Sequence, residues 1–238
     1  MVDKLDAPQS DGRLLINVGA GDFTHPNWIN VDKIDHFYEQ QQETNTINYD
    51  LFDMGPMPFE SGSVDLIYTS HVIEHVSNDS VDNFFKESYR ILKVGGAIRI
   101  VCPDLELLLN LYRMKDKSSF FKIRDYGENN QISFDEYVKR PVVKNSSIQQ
   151  LLLWSFARQA FIHHNVGKGP LQDEEVDNLF ETLSEEDAMD YCVSLCQITV
   201  QRDRPEEHIN WWTEKKLTTY LTHSGFTDVR KSRRNQSL

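Results

Sequence analysis

Short apolar runs alternate with polar, turn-rich stretches along the first hundred residues. Leu14-Leu15-Ile16-Asn17-Val18 ends in Gly19-Ala20-Gly21. Trp28-Ile29-Asn30-Val31-Asp32, Thr46-Ile47-Asn48-Tyr49-Asp50 and Val64-Asp65-Leu66-Ile67-Tyr68 follow, then Ala97-Ile98-Arg99-Ile100-Val101-Cys102, stopped by Pro103. Runs this short, separated by helical and turn signals, predict parallel strands of an α/β sheet. Between the fourth and fifth runs, Val81, Phe84, Phe85, Ser88, Ile91 and Leu92 fall on one helical face. Asn78, Asp79 and Ser80 offer N-caps for that helix, and Gly95-Gly96 offers its C-terminal stop.

The alternation stops after Asp104. Helical spacing predicts helices over Leu105–Met114, Ser147–His163 and Ser184–Val200, the last opening on acids that suit a helix N-terminus. The other acids between Asp173 and Asp190 read as a solvated face. A helix from Thr213 to His223, closed by Gly225, leads to a strand-like Phe226–Lys231. The expected architecture is a Rossmann-like, mostly parallel α/β sheet with helices on both faces and a helical insertion after the fifth strand. Residues 1–104 and 211–238 would form the sheet domain, and residues 105–210 the insertion.

Composition narrows the function. The 238 residues are 39% hydrophobic and 26% charged, enough for a packed core. The net charge of −12 argues against a nucleic-acid partner, whose phosphates call for a basic surface. No run approaches the ~18–20 apolar residues of a membrane span, and the polar N-terminus is no signal peptide. Cys102, Cys192 and Cys196 form no disulfide framework. The last two, one helical turn apart, lack a second ligand pair for zinc. A reducing, cytoplasmic setting is expected.

Gly19-Ala20-Gly21 after a strand lets the backbone turn sharply beside a ligand, and Asp32 at the end of the second strand can hold ribose hydroxyls. A dinucleotide fingerprint fails. Its third glycine would fall at Thr24, and Asp32 follows Gly19 by only 13 positions, too few for a full crossover helix. A cofactor without phosphates fits better than a nicotinamide dinucleotide.

These residues, with Met57-Pro58-Phe59, Ser63-Val64-Asp65-Leu66-Ile67-Tyr68, His71-Val72-Ile73-Glu74-His75, Tyr89-Arg90-Ile91-Leu92-Lys93-Val94-Gly95-Gly96, and later Trp212-Thr213, Leu217 and Gly225-Phe226, form an ordered set. The set resembles the class I S-adenosylmethionine-dependent methyltransferases of the type 11 kind. The short connection before Trp28 is similar to a bacterial subgroup often linked to surface-polysaccharide modification. The chain departs from the family pattern at Asn17, Ala20 and Val94.

The resemblance implies S-adenosylmethionine as cofactor. Gly19 and Gly21 would pass under its methionine part, Asp32 would hold its ribose, and Asn17 and Ala20 would be among the residues binding it. Asp50 and Leu51 would face its adenine, with a turn or cap carboxylate as the other reading of Asp50. Ser70 and His71 would line the transfer site. His71 is the candidate general base, since a histidine titrates near neutrality; packing beside the cofactor is its other reading. His208, near the return to the sheet, is the second candidate, with packing as its alternative. His71, Glu74 and His75 have a spacing that can hold a divalent cation, but no metal is expected. The adjacent His163 and His164 point apart on a helix and make no chelating pair.

The Thr69-Ser70-His71-Val72 segment lacks the Pro-Pro-aromatic and Pro-Cys signatures of nucleic-acid methylation. The expected acceptor is therefore a small molecule or sugar-linked group, methylated at oxygen or nitrogen, with the insertion as a lid. The rival readings are a non-catalytic cofactor-binding regulatory module and a nicotinamide oxidoreductase. Thirteen residues follow Gly225, and the last seven are polar and arginine-bearing until the final leucine. A seventh strand is therefore expected to be missing, through truncation or because a partner subunit, such as a second copy in a homo-oligomer, or a neighbouring segment covers the edge beside the fifth strand.

Overall fold

The structure is a computed structural model, and it describes residues 12–21, 23, 25–34, 46–123, 145–162 and 169–232. The chain divides into two compact units, one of residues 1–102 with 214–238 and one of residues 103–213.

The first unit carries a sheet of β1 (Leu15–Val18), β2 (Ile29–Asp32), β3 (Thr46–Asn48), β4 (Val64–Ser70) and β5 (Leu92–Val101). Their order is β3-β2-β1-β4-β5, and every pair is parallel. The fold is therefore the expected mostly parallel, Rossmann-like sheet, with helices around it. The order reverses between β1 and β4, and in open α/β sheets that switch point opens a crevice at the carboxyl ends of the strands.

Pairing sorts the side chains. Ile16 pairs with Ile29 and Ile67, and Val18 with Val31 and Thr69, so these share one face. All six are buried. Asn17 pairs with Asn30 and Tyr68, and Tyr68 with Arg99, which sets a polar row across the opposite face. Asn17 and Asn30 are buried there. The Tyr68 ring meets Trp28 edge-on, 6.2 Å between centroids.

Helix α1 (Asn78–Ile91) buries Val81, Phe84, Phe85, Ser88 and Ile91, and each fully buried Phe contributes about 1.5–3 kcal/mol of hydrophobic stabilisation. Two sequence expectations about α1 need correction. Its N-cap is Ser77, whose side chain accepts the Ser80 N–H, rather than Asn78, Asp79 or Ser80. Its end is Ile91, not Gly95-Gly96, because Leu92 already extends into β5. The register slips where Val64 meets Leu92 but Leu66 meets Ala97, and the glycines lie in this bulge. Gly95 has φ +81°, and a Cβ on Gly96 would stand 3.0 Å from the Lys93 carbonyl and 3.1 Å from that of Asp65. The glycines thus allow the bulge, not a helix cap.

Arg90 of α1 explains why two separated motifs occur together. Its guanidinium donates to the Phe59 and Met57 carbonyls at 3.0 and 3.1 Å and to Glu87. Glu87 in turn accepts the Met57 N–H at 2.7 Å. The Arg90 hydrogen bonds, helped by Met57, hold the Glu87 carboxyl below the usual carboxylate value against the cost of burial.

In the second unit α2 (Leu105–Arg113) forms where expected, and α3 (Lys117–Ile123) follows it. The predicted long helix from Ser147 is shorter: α4 (Ile148–Phe156) is capped by Ser147 and gives way to a 3₁₀ turn at Arg158–Ala160. The acidic stretch forms α5 (Asp173–Thr182), started by a capping box between Gln172 and Glu175. The predicted helix from Ser184 to Val200 is two, α6 (Glu185–Ser194) and α7 (Ile198–Asp203). The break is pinned by Gln159, whose amide accepts the Gln197 N–H at 2.7 Å and donates to the Gln197 carbonyl at 3.1 Å. This unit has its own core, with Leu109, Leu152, Phe156 and Trp211 among its members. Cys192 and Cys196 are free thiols, each pushed up to about 12 chiefly by burial, so neither is a ready nucleophile.

Helix α8 (Glu214–His223) returns to the first unit. Residues 226–231 are not a strand, contrary to the sequence expectation. A strand needs a ladder partner. This segment is held instead by side chains: Phe226 packs edge-on against Tyr89, Lys231 pairs with Glu214 at 3.2 Å, and Arg230 pairs with Asp228. The expected absence of a seventh strand concerns residues 232–238, of which 233–238 lie outside the described residues, as does the His163–His164 pair. No helix among the described residues is long and apolar enough to cross a membrane.

Candidate active site

Three chain segments converge at the switch point. The first is the turn after β1. Gly19 has φ +69° and its N–H donates to the Val31 carbonyl at 2.8 Å. A Cβ on Gly19 would lie 2.1 Å from Val72 Cγ2, so only glycine lets the backbone pass beneath Val72. Gly21, at φ +54°, would carry a Cβ into open space. Ala20 lies between them, and its carbonyl accepts the Phe23 N–H at 3.0 Å.

The second segment is the end of β2. Asp32 clamps the glycine turn, its Oδ2 accepting the Gly21 N–H at 2.9 Å and its Oδ1 the Lys33 N–H at 2.8 Å. Asn30 supports the same turn by donating to the Phe23 carbonyl at 2.6 Å. Downstream, Asp50 lies beyond the end of β3. It caps a 3₁₀ turn over Leu51–Asp53, its Oδ1 accepting the Phe52 N–H at 2.9 Å. The cap geometry anticipated for Asp50 is therefore present, and Leu51 is buried beneath it.

The third segment follows β4. Ser70 is the last residue of β4 and is half-buried. His71 extends the ladder by donating its N–H to the Val101 carbonyl at 2.8 Å, then turns at φ +57°. That left-handed conformation is uncommon outside glycine and costs about 1–2 kcal/mol. Its side chain is 39% exposed, and Nδ1 lies 3.0 Å from Oε1 of Glu74, whose side chain is 2% exposed.

His208 belongs to the second unit. Its Nδ1 donates to the Ser155 carbonyl at 2.6 Å, and its own carbonyl accepts the Arg158 N–H at 3.0 Å. These bonds hold the end of α4.

The structure thus brings Gly19, Gly21, Asp32, Ser70 and His71 to the carboxyl ends of β1, β2 and β4. Sequence reading passed over Val72 and Asn30. Val72 is a generic apolar residue in sequence, and only its approach to Gly19 gives it significance. Asn30 stands directly opposite Asn17 in the β1–β2 register, a pairing that cannot be seen before the sheet is built.

Residues 24–100 match a methyltransferase domain family. Over 95 residues the chain is 30% identical to phosphoethanolamine N-methyltransferase 1 of Caenorhabditis elegans, covering 36% of this chain and 20% of that protein. It therefore spans about a fifth of that curated relative. Among solved structures, an S-adenosylmethionine-dependent methyltransferase from Archaeoglobus fulgidus aligns at a TM-score of 0.34 and 20% identity, over 43% of this chain and 52% of that one. A phosphoethanolamine N-methyltransferase 2 from Haemonchus contortus, in complex with phosphomonomethylethanolamine and S-adenosylhomocysteine, aligns at 0.28 and 15%, over 84% and 48%. Residues 24–100 thus match a methyltransferase domain, and they lie in a Rossmann-like parallel sheet whose order reverses between β1 and β4.

Proposed function

We propose that this chain transfers a methyl group from S-adenosylmethionine to an oxygen or nitrogen of a small-molecule or sugar-linked acceptor. The observation that carries the reading is the clamp of Asp32 on Gly21 at the strand switch point. The residues suit the cofactor. Asp32 stands at the end of β2 with its carboxylate on the Gly21 and Lys33 N–H groups, and a carboxylate is the acceptor that ribose hydroxyls call for. Gly21 faces open space, so the turn leaves room beside it. Gly19 and Gly21 are assigned to the methionine part, Asn17 and Ala20 to the cofactor's surroundings, Asp50 and Leu51 to the adenine, and Ser70 and His71 to the transfer site.

When bound, the cofactor supplies an electrophilic methyl carbon, whose bonding pair stays on sulfur as the acceptor's lone pair displaces it. The protein's part is alignment, mainly a proximity effect, and removal of the acceptor's proton. His71 takes that proton on Nε2. The short connection before Trp28 supports a sugar-linked acceptor, and the name of the nematode relative supports trying an amine. The free cysteines are consistent with a reducing, cytoplasmic setting.

Incubating the full chain with methyl-labelled cofactor and a panel of phosphoethanolamine, amino sugars and nucleotide sugars tests this reading. Label in an acceptor supports it. Binding of S-adenosylhomocysteine with no transfer to any acceptor would turn the assignment toward a non-catalytic binding module.

Asp32 has its own test. Asp32→Ala should weaken S-adenosylhomocysteine binding by about 1.5–3 kcal/mol, the range for hydrogen bonds to a charged group. The upper end is expected, because the Gly21 N–H loses its acceptor as well. Unchanged affinity in calorimetry would remove Asp32 from the site.

A further inference from the structure

Glu74 is a buried carboxyl group whose placement the fold alone does not explain. Its side chain is 2% exposed, and among the described residues its Oε2 has no hydrogen-bond partner. Its Oε1 lies 3.0 Å from Nδ1 of His71. Glu74 sits in the 3₁₀ turn Ile73–His75 ahead of α1, yet it does not cap that helix, since Ser77 does. Burying a carboxyl group costs free energy unless a partner offsets it, and the partner shown is His71. His71 in turn is held at φ +57° on the ladder-extending bond to Val101. Strained backbone of this kind persists where the surroundings over-determine it, and such sites cluster at functional positions.

We propose that Glu74 is the positioning residue of the transfer site, its carboxylate accepting the Nδ1–H of His71 and so fixing the tautomer with its lone pair on Nε2. The inference rests on the reading of His71 as the base. Which nitrogen of a neutral imidazole carries the proton is set by the hydrogen bond the other makes. With Nδ1 committed to Glu74, the acceptor's proton moves to Nε2. The resulting imidazolium is stabilised by the carboxylate beside it, and Glu74 itself gives up and receives no proton. Glu74 contacts neither acceptor nor cofactor in this role and acts through His71.

The test is nitrogen-15 NMR of histidine-labelled full chain with S-adenosylhomocysteine bound and the rings neutral, the His71 signal being assigned by its loss in His71→Asn. The wild type should show His71 as the Nδ1–H tautomer. In Glu74→Gln, whose amide oxygen can still accept from Nδ1, that tautomer should persist. In Glu74→Leu, which removes the acceptor but fills the same buried space, the Nδ1–H signature should be lost while the melting temperature and S-adenosylhomocysteine affinity hold. A purely structural Glu74 would instead move the melting temperature and leave the tautomer alone. An Nε2–H ring in the wild type overturns the proposal even if Glu74→Leu fails to fold, and so does an unchanged tautomer in a folded Glu74→Leu. No acceptor is needed for this measurement, so its failure is distinct from failure of the base assignment, which is read by turnover of His71 variants.

Discussion

Replacing Gly19 with alanine should destabilise the sheet unit by about 2–5 kcal/mol, combining about 1–2 for a left-handed non-glycine residue with about 1–3 for overpacking. The overpacking arises because the new methyl group would stand 2.1 Å from Val72 Cγ2, 3.1 Å from its Cγ1 and 3.2 Å from its Cβ. A β-branched side chain has little rotamer freedom to retreat, so either the glycine turn or the segment after β4 must move. Both belong to the proposed cofactor site, and affinity for S-adenosylhomocysteine should fall with stability. Gly21→Ala is the control. It shares a positive φ but meets open space, so only the conformational part of the cost, about 1–2 kcal/mol, applies. Denaturant unfolding of the two variants should separate them clearly. Equal losses would mean that the approach of Val72 to Gly19 is not the constraint on this turn.

The largest kinetic effect is expected at His71. Replacing it should lower turnover roughly 10²–10⁴-fold, the usual contribution of a positioned general base. Asparagine is the better substitution, because it tolerates the left-handed backbone that His71 adopts at φ +57°. His71→Asn should keep the ladder bond to Val101 and leave S-adenosylhomocysteine affinity nearly intact. Turnover within a few-fold of wild type would mean that alignment alone carries the reaction or that another group takes the proton. His208 would then be the next residue to replace, although its Nδ1 is already committed to the Ser155 carbonyl.

The sheet was legible because its signals are local. Five apolar runs, each bounded by turn residues, read correctly as five parallel strands, and the order-reversing pair β1 and β4 carries the glycine turn and His71. Errors came where a long-range contact outweighs a local preference. Gly95-Gly96 has the local signature of a helix stop, yet the backbone of Asp65 on β4 approaches this stretch and makes it a bulge. The stretch from Ser184 to Val200 keeps helical spacing, but Gln159 binds the backbone of Gln197 and breaks it. Phe226–Lys231 has alternation but pairs with no strand among the described residues. At the site, the residue types of Gly19, Asp32 and His71 were readable in sequence. Their couplings were not, because the Asp32 clamp on Gly21, the Val72 contact and the buried Glu74 beneath His71 exist only once the strands are aligned.

The central claim is that this fold binds an S-adenosylmethionine-type cofactor and not a dinucleotide. Titration calorimetry of the full chain with S-adenosylhomocysteine, run beside NAD, tests it most directly. Saturable binding of S-adenosylhomocysteine, lost or weakened in Asp32→Ala, is expected, with no comparable binding of NAD. Tight NAD binding with no heat from S-adenosylhomocysteine would contradict it.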